Sequence, residues 1–254
     1  MAFQGFTPQT VDFMWGIRFN NERGWFMAHK DEYINTFLTP IKELGEQVYE
    51  AMHEALPDEP LILKVSRIYQ DARRLHGRGP YKDHLWWCIR TGDKDWTGRP
   101  TFWFELGPDY YSFGLGFWAP APALMETYRK EIDRHPEALS KLVRQFNRQS
   151  TFTLEGEAYA RSKGQVVDLL RPWYQKKSLS LRWEGPLDER IFSPTLAEDI
   201  IAGFQTLVPF YHYFSKIVAL TPQPERTRGK EDAYTQAAAC SRYTPAATMT
   251  GYSS

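Results

Sequence analysis

Cysteine is scarce in this chain, with two among 254 residues, Cys88 and Cys240. One lies in an apolar, strand-like run and the other in a small-residue stretch near the end. Two such thiols make no disulfide framework and fit a reducing, cytoplasmic setting. An excess of one charge is missing too: 31 Lys and Arg face 31 Asp and Glu, and the pI is near 7.0. Proteins that hold nucleic acid or an anionic membrane by overall charge carry a basic excess. Nucleic acid is therefore disfavoured as a partner, and any polyanion must be met by a local patch. No apolar run reaches the roughly 18 residues of a membrane span. The greasiest segment, 207–220, contains Pro209, His212 and Lys216 and reads as the end of a buried amphipathic helix. The opening Met-Ala-Phe-Gln-Gly-Phe-Thr-Pro has neither a basic start nor an apolar centre, so no signal peptide is expected there.

Several chemistries lack their motifs. The six histidines show no His-x-His or His-Glu-x-x-His spacing, so no metal centre is expected. There is no Gly-x-x-x-x-Gly-Lys-Ser/Thr phosphate loop and no Gly-x-Ser-x-Gly nucleophile elbow. Gly114-x-Gly116-x-x-Ala119 matches the dinucleotide fingerprint, which also needs a second parallel strand bearing an acid about 20 residues on. Here Asp133 falls in a helical stripe, and Pro120 and Pro122 stand where the phosphate-facing helix should begin. Those glycines are expected to make a bulge or a close strand contact, and no cofactor is expected.

Aromatic rings are plentiful: 15% of the chain, as nine Trp, 14 Tyr and 16 Phe. They point to a sheet-rich core with ring packing. A first helix is expected over 7–17, and Asn20 or Asn21 suits the N-cap of the next. Phe26, Tyr33, Phe37, Ile41, Leu44, Val48 and Met52 recur at helical spacing, with a kink or restart at Pro40 and Thr39 as cap. Strands are expected over 61–69, 85–91, 101–106, 110–118, 152–159 and 178–183, most joined by turns, hence antiparallel. Later helices follow Pro122, Pro136 and Pro194, with Thr195 and Glu198 suited to a capping box. The fold class is a single α+β domain over 5–218, a mainly antiparallel sheet packed against helices near 22–56, 121–149 and 195–218. The stretch 219–254 has no periodic apolar face and reads as a flexible tail.

One connection stands out. From Lys64 to Lys82 there are six Lys and Arg, and only Asp71 and Asp83 oppose them through His84. This basic run surrounds Gly77, Gly79 and Pro80. Either an anionic partner or internal ion pairs must answer it. Backbone amides at the glycines and the side chains of Arg67, Arg73, Arg78 and Lys82 suit a phosphate or carboxylate. Asp71 with His84 or His76 would suit an acid–base pair if they touch. The alternative is that the arginines pair with Asp71, Asp83 and Glu22.

The order of motifs also resembles a family. Arg67, Ile68, Asp71, Arg73, Pro80, Tyr81, Lys82 and His84 stand where the signature of the widespread bacterial family named domain of unknown function 2461 has them. Asn20-Asn21-Glu22-Arg23-Gly24-Trp25-Phe26 with Lys30, Tyr33 and Pro40 is similar to its N-terminal block. Gly114-Leu-Gly116-Phe-Trp118, followed by Arg129 and Ile132, is similar to its third, and Leu154-Glu-Gly156-Glu157 with Leu179 is a weaker match. Gln70 and the run 74–78 depart from the pattern. The resemblance implies a fold and a candidate surface and no reaction. The candidate ligand residues are Arg67, Asp71, Arg73, Arg78, Tyr81, Lys82 and His84. The ligand is expected to be an anionic small molecule. The alternative is a protein-interaction module whose exposed Trp and Tyr flank the basic residues.

Overall fold

The computed structural model describes residues 2–71, 79–93 and 95–222. The chain opens with α1 (Pro8–Phe19), α2 (Arg23–Ala28) and α3 (Lys30–Glu32), then passes through a π-helical stretch, Tyr33–Leu38, into α4 (Thr39–Ala55). Three strands follow, β1 (Leu61–Val65), β2 (Leu85–Thr91) and β3 (Pro100–Leu106), and then β4 (Tyr110–Phe117). Helices α5 (Pro122–Arg134) and α6 (Pro136–Phe146), strand β5 (Thr153–Glu155), the short α7 (Arg171–Tyr174), β6 (Ser180–Pro186) and the long α8 (Thr195–Leu220) complete it. The six strands form one antiparallel sheet in the order β1-β2-β3-β4-β6-β5. Helices and sheet share one hydrophobic core, an α+β domain.

Alternation along the strands decides which face meets the helices. The register lines up Val65, Trp87, Phe104, Phe113 and Trp183 across five strands. Phe102, Leu115 and Leu181 form the next row. α4 and α8 lie on this face. Phe204 of α8 meets Phe102 at 4.9 Å, Phe113 at 6.0 Å and Trp87 at 6.2 Å between ring centroids. Burying one such ring stabilises the fold by ~1.5–3 kcal/mol. α4 contributes Ile41, Leu44, Val48 and Met52, all fully buried and spaced at three or four residues.

Three local expectations change. The helix does not restart at a Thr39 cap; Thr39 is itself helical. Pro40 has no N–H for the carbonyl of Thr36, four residues back. The hydroxyl of fully buried Thr10 donates to that carbonyl at 2.5 Å and accepts the N–H of Thr7 at 3.1 Å. The wide π turn thus carries the chain through the proline while α1 supplies the missing donor. Secondly, Asn20 closes α1, its side-chain amide donating to the Gly16 carbonyl, and α2 is preceded by Glu22. Thirdly, α8 begins after Pro194, where the Thr195 N–H donates to the Ser193 hydroxyl, so Thr195 is not the cap of a box. α8 then continues through Pro209.

The other face of the sheet carries Lys64, Cys88, Trp103, Gly114 and Arg182 in one row and Trp86, Glu105, Ser112 and Glu184 in the next. It is polar and aromatic by turns. Gly114 is needed there: a Cβ would sit 2.1 Å from the Leu181 carbonyl oxygen of β6. That is the close strand contact expected of the glycines, and it leaves no dinucleotide loop. Among the described residues no helix is long and apolar enough to cross a membrane. Of the tail expected over 219–254, residues 219 and 220 are the last of α8, and residues 223–254 lie outside the described residues.

Candidate functional site

The basic connection leaves β1 and returns to β2. Arg73, Arg78 and His76 lie outside the described residues. Its two arms, 66–71 and 79–84, are held together by backbone hydrogen bonds. Gln70 N–H donates to the Pro80 carbonyl at 2.8 Å and Lys82 N–H to the Ile68 carbonyl at 2.7 Å, around a bridge between Tyr69 and Tyr81. Asn21 completes the clasp. Its side-chain oxygen accepts the Tyr81 N–H at 2.9 Å, and its amide donates to the Tyr81 carbonyl at 2.8 Å. The Gln70 amide donates to the same carbonyl at 2.8 Å. Gly79 is required beside it, since a Cβ would fall 2.2 Å from the Asn21 side chain and 2.4 Å from its backbone oxygen.

The ring of Tyr81 goes into the core. It is 4% exposed and stacks on Phe26 at 4.2 Å. Tyr33 and Tyr69 pack around the same Phe26, and burial first, then nearby Tyr69, pushes the Tyr33 phenol up to about 12. Tyr69 itself is 57% exposed. Tyr81 therefore brings its backbone to the site, while Tyr69 shows its ring to solvent.

Two cations emerge from these arms. The Lys82 ammonium donates to the Arg67 carbonyl at 2.7 Å and stands over the Trp86 ring, 5.8 Å from its centroid. Burial, and then the neighbouring Arg67 guanidinium, lower its pKa; Glu105 acts the other way. Glu105 is engaged elsewhere, accepting the Tyr110 hydroxyl at 2.7 Å. Among the described residues neither Arg67 nor Lys82 has a carboxylate at ion-pair distance. Asp71 is exposed at the end of the first arm.

The pairing expected for His84 is redirected. Its Nδ1 lies 2.9 Å from Oδ1 of the adjacent Asp83. Oδ2 of Asp83 accepts Arg18 Nε at 2.6 Å, and Arg18 Nη1 reaches Asp109 at 2.5 Å. Burial raises the Asp83 pKa, but the hydrogen bonds and charges of His84 and Arg18 outweigh it and bring it to about 2. An ionised carboxylate only accepts, so Nδ1 of His84 carries the proton. Asp83 thus fastens α1 to the second arm. Arg18 and Asp109 carried no signal in the sequence, because their contacts span 65 and 91 residues.

Beyond Lys82 the same sheet face continues as a row of rings. Trp86 and Trp118 lie 6.1 Å apart, Trp118 and Trp96 6.2 Å, and the Arg90 guanidinium caps Trp96 at 4.7 Å. Trp118 is 38% exposed. Arg182 lies over Trp103 at 5.5 Å, donates to Ser112 and pairs with Glu184. Stacked cations and rings suit planar or anionic groups. Among the described residues no group of three His, Cys, Asp or Glu could hold a metal ion.

Residues 9–213 match the family described as conserved hypothetical protein (DUF2461), and the chain belongs to it. A search of curated proteins found no match.

Proposed function

We propose that this DUF2461 protein binds an anionic, phosphate-bearing small molecule at the basic connection. Arg67 and Lys82 supply the charge, and Arg73 and Arg78, outside the described residues, are proposed from the sequence alone to add to it; Asp71 and His84 stand at the margin, and Tyr81 fixes the arms through its backbone. The observation that carries this reading is the pair Arg67 and Lys82, two neighbouring cations without a carboxylate at ion-pair distance among the described residues. Holding like charges together and partly out of water costs free energy. A ligand anion would offset that cost with charge-assisted hydrogen bonds. The reading assigns binding and no reaction, in a reducing, cytoplasmic setting.

The test is a thermal-shift screen of anionic metabolites on the wild type and on Arg67→Ala/Lys82→Met. The double variant should melt with the wild type and lose the shift that an anionic hit produces. An anionic hit that shifts both proteins equally overturns the assignment, and a variant that melts far below the wild type marks the cations as structural.

A second reading rests on exposed Tyr69, bridged to Tyr81 next to Lys82, and on exposed Trp118, 6.1 Å from the Trp86 ring that Lys82 overlies. Such a basic, ring-flanked surface also suits a protein partner. Capture of one partner by the wild type and not by the double variant supports it; no partner with either protein counts against it.

A further inference from the structure

A second concentration of positive charge lies elsewhere, around Tyr159. Three cations address this one ring: Lys163 Nζ at 4.6 Å from its centroid, the Arg129 guanidinium at 4.9 Å and Lys177 Nζ at 5.9 Å. They come from three places, α5, the 160–166 loop and the segment before β6. The fold gathers them by a bridge between Ala158 and Lys176, by Tyr159 N–H donating to the Gln175 carbonyl at 2.8 Å, and by Lys163 N–H donating to the Gln175 side chain at 3.0 Å.

The nearby acids neutralise one of the three cations and leave the other two. Glu157 pairs with Lys177 at 3.3 Å. Glu126 is taken by Lys130, Asp168 by Arg171, and Asp133 accepts the Tyr174 hydroxyl at 3.1 Å. Among the described residues Arg129 and Lys163 have no carboxylate at ion-pair distance. Nη1 of Arg129 is moreover shut off from solvent with no hydrogen-bond partner. A buried guanidinium N–H left unpaired is costly, and the like charges of Arg129 and Lys163, both within 5 Å of one ring, are held together without an acid at ion-pair distance among the described residues. Cation–π attraction offsets part of this, at roughly 0.5–2 kcal/mol per contact. The 162–164 loop also borders a hollow of about 390 Å³ lined by Ser162, Gly164, Gln165, Val166 and Arg171.

We infer that Arg129, Lys163 and Lys177 around Tyr159 form a second binding site, for the phosphoryl group of a small phosphorylated molecule. The lysines supply point charges to the phosphate oxygens, and the Arg129 guanidinium adds its positive charge beside them. The site shares no residue with the basic connection and stands or falls separately from it.

The probe is pyrophosphate, titrated at low ionic strength and followed by amide chemical shifts of the full chain. Saturable shifts should centre on residues 159–164 and 175–177. Lys163→Ala, on an exposed loop, should weaken binding by roughly tenfold, and Arg129→Gln by more. Arg67→Ala/Lys82→Met should leave these shifts unchanged. Saturable binding that Lys163→Ala and Arg129→Gln do not weaken overturns the site, as do shifts that never saturate or that centre on residues 67–84. Since Arg129→Gln alters a partly buried position, Lys163→Ala decides the matter if the former fails to fold.

Discussion

Asn21 holds the backbone of Tyr81 from both sides, accepting its N–H at 2.9 Å and donating to its carbonyl at 2.8 Å. A side-chain amide thereby does what a neighbouring strand would do. It ties the turn after α1 to the returning arm of the basic connection, 60 residues away. Loss of this clasp frees the arms that present Arg67 and Lys82.

Asn21→Ala removes both bonds; the Tyr81 N–H is left without a partner, while the Tyr81 carbonyl keeps the Gln70 amide. Stability should fall by ~1–3 kcal/mol, the cost of one unpaired backbone group and one lost bond. Urea denaturation measures it. Equal midpoints for the two proteins would refute the clasp.

Thr10→Val keeps the shape of a fully buried side chain and deletes its hydroxyl. The Thr36 carbonyl, already deprived of the Pro40 N–H, loses the bond that Thr10 gives it. The expected loss is ~1–3 kcal/mol, read by thermal or urea unfolding. Thr10→Ser, which retains the hydroxyl, should lose less.

Asp83 makes the fold acid-sensitive in a defined window. Its pKa falls from 3.8 to about 2 on folding. A depressed carboxylate contributes stability that is fully present above the unfolded value and is lost as pH drops through the folded one. Unfolding free energy should therefore decline between about pH 4 and pH 2, by on the order of 2 kcal/mol from this residue. Asp83→Asn should be less stable at pH 7 and show a shallower decline in that window.

Cys88 is 3% exposed, and burial first pushes its thiol up to about 11, against the opposing effect of Arg90 and Lys64. The thiol stays protonated at pH 8, and the thiolate is the reactive form. Alkylation of Cys88, followed by peptide mass spectrometry, should be slower than that of a free cysteine by more than about 100-fold in the native protein. In urea the difference should vanish. Rapid native labelling would contradict the burial.

Much of the architecture could be read locally. Alternating apolar residues gave β1 through β4 within a few positions, and Pro122 and Pro136 marked where α5 and α6 begin. Caps were harder. Asn20 and Asn21 are good cap residues, yet one ends α1 and the other serves Tyr81, because a short polar side chain bonds whatever backbone the fold brings near. The basic connection was visible as a charge run. That Asp83 would meet Arg18 was not, since no spacing rule links residues 65 apart, and adjacency alone did not show that the His84 ring would turn to Asp83.

The order and type of the elements follow from hydrophobic period and proline position, because burial of one face of a helix or strand is dictated by neighbours in the chain. The family membership likewise rests on residues in sequence. Which acid each cation meets among the described residues was decided only when α1, the sheet and the arms of the connection came together. Ion pairs depend on distance in space, and the chain fixes that distance by packing.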